Sequence, residues 1–304
     1  MQRREFLQGA GAAALSLGLS AFPTGWVQAA GAPKRRILFF TRSQTFEHSA
    51  IRRKGDQLGF AEQLLTDLGA KHDFEVTCTK DGAVFTPENI AKYDAFFFYT
   101  TGDLTKPSSD GSNPITLAGK AALLEAVKNG KGFLGTHSAT DTFHPEPDDR
   151  YVNIGEKVDP YIAMLGGEFI HHDTQQDSKM IVVDTKFPGF QGLTDFTLKE
   201  EWYSLKDFRK DLHVLLVQET AGMNGPHYQR PPYPATWARR HGKGRVFYTS
   251  MGHREEVWSN PMFQQILLGG ISWAVGNVRA DVTPNIEKVA PKAWELPARP
   301  AAKA

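Results

Sequence analysis

Four strand-like segments alternate with helical segments in the first half of the sequence. The strand-like segments lie at residues 37–40, 73–79, 95–99 and 132–136, and helical signals lie at residues 52–70, 86–88 and 117–129. Most of these strands are continuously apolar, which is typical of strands buried on both faces. The alternation therefore predicts an α/β fold whose central sheet is mostly parallel and covered by helices on both sides.

The second half of the sequence has a more irregular β pattern and closes with one helix. Strands are predicted at residues 181–183, 213–218, 236–238 and 245–249, and the helix at residues 261–274. The glycines in GKGR, just before the last strand, predict a hairpin turn. No repeat or linker divides residues 35–276, so we predict one domain. The tail at residues 277–304 is rich in Pro, Ala and Lys and is expected to be extended or poorly ordered.

The first 30 residues resemble a signal for export. Arg3 and Arg4 precede a weakly apolar run of Gly, Ala, Leu and Ser, and residues 27–29 offer a small-residue cleavage site. The paired arginines resemble a signal for the twin-arginine export machinery, which carries folded proteins. The alternative is a single membrane anchor, but the apolar run is short and rich in glycine, whereas a spanning helix needs about 20 apolar residues. We therefore predict a periplasmic protein.

Composition and missing motifs exclude several functional classes. Cys78 is the only cysteine, so the chain has no internal disulfide and no cysteine-based metal cage. The net charge of +1 gives no reason to expect a nucleic-acid partner. Motifs for dinucleotides, for a P-loop and for a nucleophile elbow are absent, which disfavours a cofactor-binding redox protein. A serine hydrolase is also disfavoured, because Ser138 directly follows His137 and neighbours in the chain form a catalytic pair of poor geometry.

Polar side chains follow several predicted strands and are the candidates for a functional site. In an open α/β sheet, ligands bind at the carboxyl ends of the strands. The residues in these positions are Glu47, His48, Asp103, His137, Asp141 and His253. His172 follows a Gly-Gly turn, and Glu201 lies in the sequence KEEWY, where we favour it over Glu200.

This set has the residue types of a metal site. Histidine is a common metal ligand and also the usual acid or base near neutral pH. Three histidines and a carboxylate suit a divalent ion such as Zn or Mn. We expect the ligands to be a subset of His48, His137, His172, Glu201 and His253. Five other histidines are interpreted as structural: His72, His144, His213, His227 and His241.

Several of these motifs together resemble the ThuA-like (trehalose utilisation) family, which belongs to the class I glutamine amidotransferase-like superfamily. The pieces that carry the resemblance are FEHSAI, GFLGTHSATDTF, LGGEFIHH, EEWYSL, PATWARRHGKGRVFYTSMGH and WSNPMFQQILLGGISWAVG. The resemblance implies a flavodoxin-like, three-layer sandwich. Amidotransferases of this superfamily carry a nucleophilic cysteine where a strand turns into a helix. Here that position holds His137, so glutaminase chemistry is not expected.

The resemblance also implies a role in the breakdown of trehalose and related disaccharides through 3-keto sugars. We expect an enzyme that uses a bound divalent metal and removes a proton next to a carbonyl. Catalytic roles are assigned to His137, Asp141 and Glu201, and contacts with the sugar to Glu47, Asp103, Tyr203, Trp237 and Trp258. For the aromatic residues, packing in the core is the alternative. The alternative for the whole chain is a non-catalytic sugar-binding or accessory protein.

Overall fold

The computed structural model describes residues 33–108, 111–144 and 150–300. The strands are β1 (Arg35–Phe40), β2 (Phe74–Thr79), β3 (Ala95–Phe98), β4 (Gly132–Thr136), β5 (Glu168–His171), β6 (Gln176–Val182), β7 (Phe196–Glu200), β8 (Ser204–Lys206), β9 (His213–Gln218), β10 (Tyr233–His241) and β11 (Gly244–Thr249). The helices are α1 (Phe60–Lys71), α2 (Pro87–Ala91), α3 (Leu117–Lys128), α4 (Pro160–Leu165), α5 (Glu255–Trp258), α6 (Pro261–Ala274) and α7 (Ile286–Val289).

Nine of these strands form one sheet, in the order β2-β1-β3-β4-β11-β10-β9-β6-β7. The first five are parallel to their neighbours, and the remaining pairs are antiparallel. Strands β6 and β10 therefore run against the other seven. This arrangement confirms the predicted α/β fold with a mostly parallel sheet, and β10 and β11 form the predicted hairpin.

The core lies on both faces of the sheet because successive side chains of the buried strands point in opposite directions. In β1, Ile37 and Phe39 pack with α1 and α6 on one face, whereas Leu38 and Phe40 pack with α3 and α4 on the other. The result is the three-layer arrangement that the apolar strands predict.

Helix α1 begins later than the sequence predicts, at Phe60 and not at residue 52. Residues 49–51 form a short 3₁₀ turn, and Gly59 stands at the helix start in an extended conformation. The Glu62 carboxylate accepts the Gly59 backbone N–H at 2.9 Å and so fixes this start. By contrast, Thr86 caps α2 as predicted, because its hydroxyl accepts the Asn89 N–H.

We expected the tail to be extended or poorly ordered, and its described part, residues 277–300, packs onto the domain. Ile286, Ala290 and Ala293 are buried against the α3–α4 face. The indole of Trp294 donates to the carbonyl of Phe208 at 2.9 Å. Small apolar side chains spaced among prolines and lysines supply this contact, and their periodicity is too weak to predict it.

The predicted export signal at residues 1–30 lies outside the described residues. Among the described residues, no helix combines the length and the apolar composition needed to cross a bilayer.

Candidate metal centre at the strand ends

The turn after β4 holds His137 in an unusual backbone conformation. Its φ of 44° lies in the left-handed region, which most non-glycine residues avoid. A 3₁₀ turn, His137–Asp141, follows directly. The Tyr248 hydroxyl donates to the His137 carbonyl at 2.7 Å and helps to hold the bend. The strand therefore ends in a sharp elbow that projects the His137 ring from the edge of the sheet.

Four of the predicted site residues converge at this edge. His48 follows β1, His137 follows β4, Glu201 follows β7 and His253 follows β11. One potential ligand atom from each of the four lies within 4.8 Å of the others. His48 and His137 are buried, whereas Glu201 and His253 are partly exposed. We call these four residues the strand-end cluster.

Glu200 links the ends of the two strands, β7 and β11, that Glu201 and His253 follow. Its Oε1 accepts the backbone N–H groups of Gly252, at 2.7 Å, and of His253, at 2.5 Å. Gly252 has a φ of 118°, and a Cβ there would lie 2.7 Å from the Thr136 hydroxyl, so the turn requires glycine. The buried carboxylate thus holds the β7 and β11 ends together.

Replacing Glu200 with alanine is expected to lower the free energy of unfolding by about 2–4 kcal/mol, because two buried N–H groups lose their acceptor. Burial raises the pKa of Glu200 to about 7, so Glu200→Gln, which keeps an uncharged acceptor oxygen, is the matched control. Denaturant unfolding measures both variants. Equal losses for the two would show that these hydrogen bonds do not hold the turn.

The tautomer of His137 follows from its neighbours. Its Nδ1 lies 3.2 Å from the carbonyl oxygen of Ser250, which can only accept, so Nδ1 carries the proton. The lone pair of the neutral ring is therefore on Nε2, which lies 3.5 Å from Glu201 Oε2 and 3.2 Å from His253 Nδ1. A backbone carbonyl behind the ring is the usual support of a metal-binding histidine.

The tautomer of His253 is set through two further side chains. The Arg254 guanidinium only donates, so the atom it contacts in Gln175 is the amide oxygen. The Gln175 amide nitrogen then donates to His253 Nε2 at 2.9 Å. The ring proton is left on Nδ1, between Glu201 Oε2 at 3.1 Å and His137 Nε2. A metal ion could bind Nδ1 once this proton moved to Nε2 and the Gln175 amide turned its oxygen towards the ring.

The charges of the strand-end cluster favour a cation. Burial lowers the pKa of His137 to about 4, and the neighbouring Glu201 carboxylate only partly offsets this. Burial, and then the charges of His137 and His253, lower the pKa of His48 well below its usual range. Burial disfavours the charged form of Glu201, but its histidine neighbours outweigh this and lower its pKa. At neutral pH, the cluster presents a carboxylate anion and neutral His48 and His137 rings. Burial lowers the pKa of His253, but the Glu201 carboxylate outweighs this and raises it, so a bound cation would displace a proton from this ring.

A buried nitrogen without a hydrogen-bond partner also suits the strand-end cluster to a divalent ion. Nδ1 of His48 is buried, and no hydrogen-bond partner for it occurs among the residues that the structure describes. An unpaired buried nitrogen costs free energy, which a ligand could recover. Three imidazoles and one carboxylate are a donor set that suits Zn or Mn.

His172 lies beside the cluster and not in it. Its Nδ1 is 3.4 Å from Glu201 Oε1 and 3.2 Å from the Asp173 carbonyl oxygen, so Nδ1 carries the proton. The side chain is 37 % exposed. The lone pair is therefore on Nε2, on a partly exposed ring that Glu201 orients.

Three predicted carboxylates have other partners in the structure. Asp141 pairs with His144 at 2.7 Å. Glu47 pairs with Arg52 and Lys80 at 3.2 and 3.1 Å. Asp103 accepts hydrogen bonds from the backbone and the hydroxyl of Thr105. Their predicted catalytic and sugar-binding roles stay predictions.

The aromatic residues predicted to contact sugar are buried. Tyr203 packs against the His137 ring, with centroids 4.2 Å apart. Trp237 and Trp258 have no exposed surface, and their indoles donate to the carbonyls of Leu165 and Gly252. A sugar stacks on an exposed ring face, so the assignment of Trp237 and Trp258 to sugar stacking is corrected to a packing role.

Trp237→Ala is therefore expected to act on stability. Deleting a fully buried indole should lower the free energy of unfolding by about 3–5 kcal/mol. Leu117 is 77 % exposed at the start of α3, so Leu117→Ala should change stability by no more than about 0.5 kcal/mol. Chemical denaturation compares the two. A Trp237→Ala protein as stable as the Leu117→Ala protein would contradict the packing role.

Comparisons with known proteins agree with the fold. The family described as trehalose utilisation, ThuA, matches residues 36–274. A solved ThuA-like protein from Bacteroides uniformis has a TM-score of 0.59 and 20% identity, and the match covers 82% of this chain and 94% of that one. For a ThuA-like protein from Parabacteroides merdae, the values are 0.53, 16%, 82% and 92%.

At these identities the two structures show the likeness of fold alone. No curated protein matches the sequence. The family match, by contrast, spans most of the chain, from the start of β1 to the end of α6. The chain belongs to the ThuA, or trehalose utilisation, family.

Proposed function

We propose that this protein is a carbohydrate-catabolic enzyme that acts on a 3-keto disaccharide or glycoside and uses a divalent metal at the strand-end cluster. Membership of the trehalose utilisation family supports a carbohydrate-related role. The observation that carries the proposed chemistry is the convergence of four ligand atoms within 4.8 Å at the edge of the sheet.

His48, His137, Glu201 and His253 would hold the ion. A divalent ion bound there would polarise the carbonyl of a keto sugar and make the neighbouring C–H group more acidic. His48 and His137 are neutral at pH 7 and offer lone pairs, whereas Glu201 supplies negative charge. His48 and His137 are buried, so bulk water does not reach this side of the site.

His172 is the proposed acceptor of the substrate proton. Its Nε2 carries the lone pair, and its Nδ1–H points to Glu201 Oε1 at 3.4 Å. A histidine that is oriented by a carboxylate on one nitrogen and accepts a proton on the other is a recurrent base in enzymes. Because the ring is partly exposed, it can return the proton to solvent or to a leaving group.

We also propose that the protein works in the periplasm. The paired arginines and the weakly apolar run in the first 30 residues support export by the twin-arginine route. That route carries folded proteins, so a metal could be inserted before export.

Deuterium exchange tests this function directly. The metal-loaded protein is incubated with 3-keto-trehalose in deuterated water, and the sugar is examined by NMR and mass spectrometry. We expect deuterium at a carbon next to the carbonyl, and turnover that a chelator stops. Saturable binding without exchange or turnover would instead support the alternative, a non-catalytic sugar-binding protein.

A further inference from the structure

One exposed aromatic ring lies against the strand-end cluster. Phe46 is 60 % exposed, and its ring meets the His48 ring at 87° with centroids 5.0 Å apart. Other exposed large apolar side chains in the described residues lie elsewhere: Phe60 begins α1, Leu117 begins α3, and Val152 precedes β5. Fully burying a phenylalanine side chain gains about 1.5–3 kcal/mol, and at Phe46 this unburied surface lies beside a cluster residue.

The loop that carries Phe46 is anchored at several points. The Thr101 hydroxyl donates to the Phe46 carbonyl at 2.8 Å, and the Gln44 N–H donates to the Thr101 carbonyl at 2.9 Å. Gly102 has a φ of 74°, and a Cβ there would lie 2.5 Å from the Gln44 amide oxygen and 2.9 Å from Thr45. The ring is therefore presented to solvent by backbone that is already ordered, which lowers the entropy cost of binding a ligand.

We propose that Phe46 is the aromatic wall of a subsite that binds the apolar C–H face of a pyranose ring next to His48. The inference rests on the proposed function and names the part of the site that recognises the sugar. Trp237 and Trp258 have no free face, and Tyr203 is 2 % exposed beneath His137. Phe46 supplies the exposed aromatic surface that these residues lack, and a pyranose ring offers a matching flat apolar face.

The role proposed for Phe46 is sugar binding alone, without metal binding or proton transfer. Its neighbours in sequence point to different tasks, because Glu47 is paired with Arg52 and Lys80 whereas His48 joins the cluster. Phe46 has no polar group to bind a metal or move a proton. Its loss should therefore weaken sugar binding and leave metal binding intact.

Calorimetric titration with trehalose and 3-keto-trehalose tests the subsite in the metal-loaded protein. We expect Phe46→Ala to raise the dissociation constant about tenfold, because a buried aromatic contact is lost. Phe46→Trp should restore binding to within about twofold, since the indole offers a larger face. Phe60→Ala, which removes an exposed phenylalanine at the start of α1, is the matched control and should bind as the wild type does.

Metal content and thermal unfolding are measured for the same proteins. Both should match the wild type, because the Phe46 ring is exposed and binds no metal. If the wild type binds the sugars and Phe46→Ala binds them equally well, the subsite is wrong and the proposed function stands. If Phe46→Ala also loses the metal, Phe46 supports His48 and not the sugar. If the wild type binds neither sugar, the proposed function and the subsite both fail.

Discussion

His137→Asn is expected to remove the divalent ion and to lower turnover of 3-keto-trehalose by about 10³-fold or more, because the metal supplies several kcal/mol of charge stabilisation. The Nε2 lone pair of His137 faces both Glu201 and His253, so its loss opens the centre of the cluster. Metal content by mass spectrometry and the rate of turnover measure the two effects.

Asparagine is chosen because of the backbone at this position. His137 has a φ of 44°, a conformation that asparagine tolerates better than alanine does. The substitution therefore separates loss of the ligand from strain at the elbow. His241→Asn, at the end of β10, is the matched control and should keep the ion. A His137→Asn protein that binds the ion as tightly as the wild type would show that His137 is not a ligand.

His172→Ala should keep the ion and lower turnover by about 10²–10⁴-fold, the usual contribution of a positioned acid or base. Deuterium exchange next to the carbonyl should fall in parallel, because the acceptor of that proton is missing. The ring is 37 % exposed and lies outside the four-residue cluster, so stability should change little. The rate of exchange and the metal content are measured on the same sample.

His171→Ala provides the control for His172→Ala. His171 precedes His172 in the chain, but its ring stacks on His227 with centroids 4.3 Å apart. It should therefore retain much more turnover than His172→Ala. Loss of the ion from His172→Ala would return His172 to the ligand role that the sequence predicts. Unchanged exchange in His172→Ala would rule it out as the base.

The parallel half of the sheet and the histidines at its strand ends could be predicted from sequence. Continuous apolar strands imply burial on both faces, and parallel strands place their carboxyl ends at one edge. His48, His137 and His253 follow from this rule, and the structure brings them together with Glu201. The sharp bend at His137 agrees with the strand-to-helix turn that the family resemblance implies.

The supports of the cluster could not be predicted in the same way. Glu200 is buried and binds two N–H groups more than 50 positions away in sequence. This contact depends on the end of β7 lying close to the end of β11 in the folded chain. Gln175 and Arg254 act through hydrogen bonds between loops, and no periodic pattern marks such residues. The KEEWY sequence predicts a pair of carboxylates and favours Glu201 for the site, whereas the buried role of Glu200 emerges only from the structure.

Exposure of aromatic residues was the other property that sequence could not supply. Trp237 lies in the middle of β10 and Trp258 ends α5, and both fill the core. Phe46 stands between polar residues in the first strand–helix loop and is the exposed ring at the site. Whether a large ring packs inward depends on the neighbours that meet it in space, which single-sequence patterns do not contain.

The metal stoichiometry of the wild-type protein tests the central claim most directly. The protein is purified without chelator, reloaded with Zn or Mn and measured by mass spectrometry, and the ion is located by anomalous scattering from crystals. We expect one divalent ion per chain, bound by His48, His137, Glu201 and His253. A protein that holds no ion at these residues and turns over 3-keto-trehalose fully in the presence of chelator would contradict it.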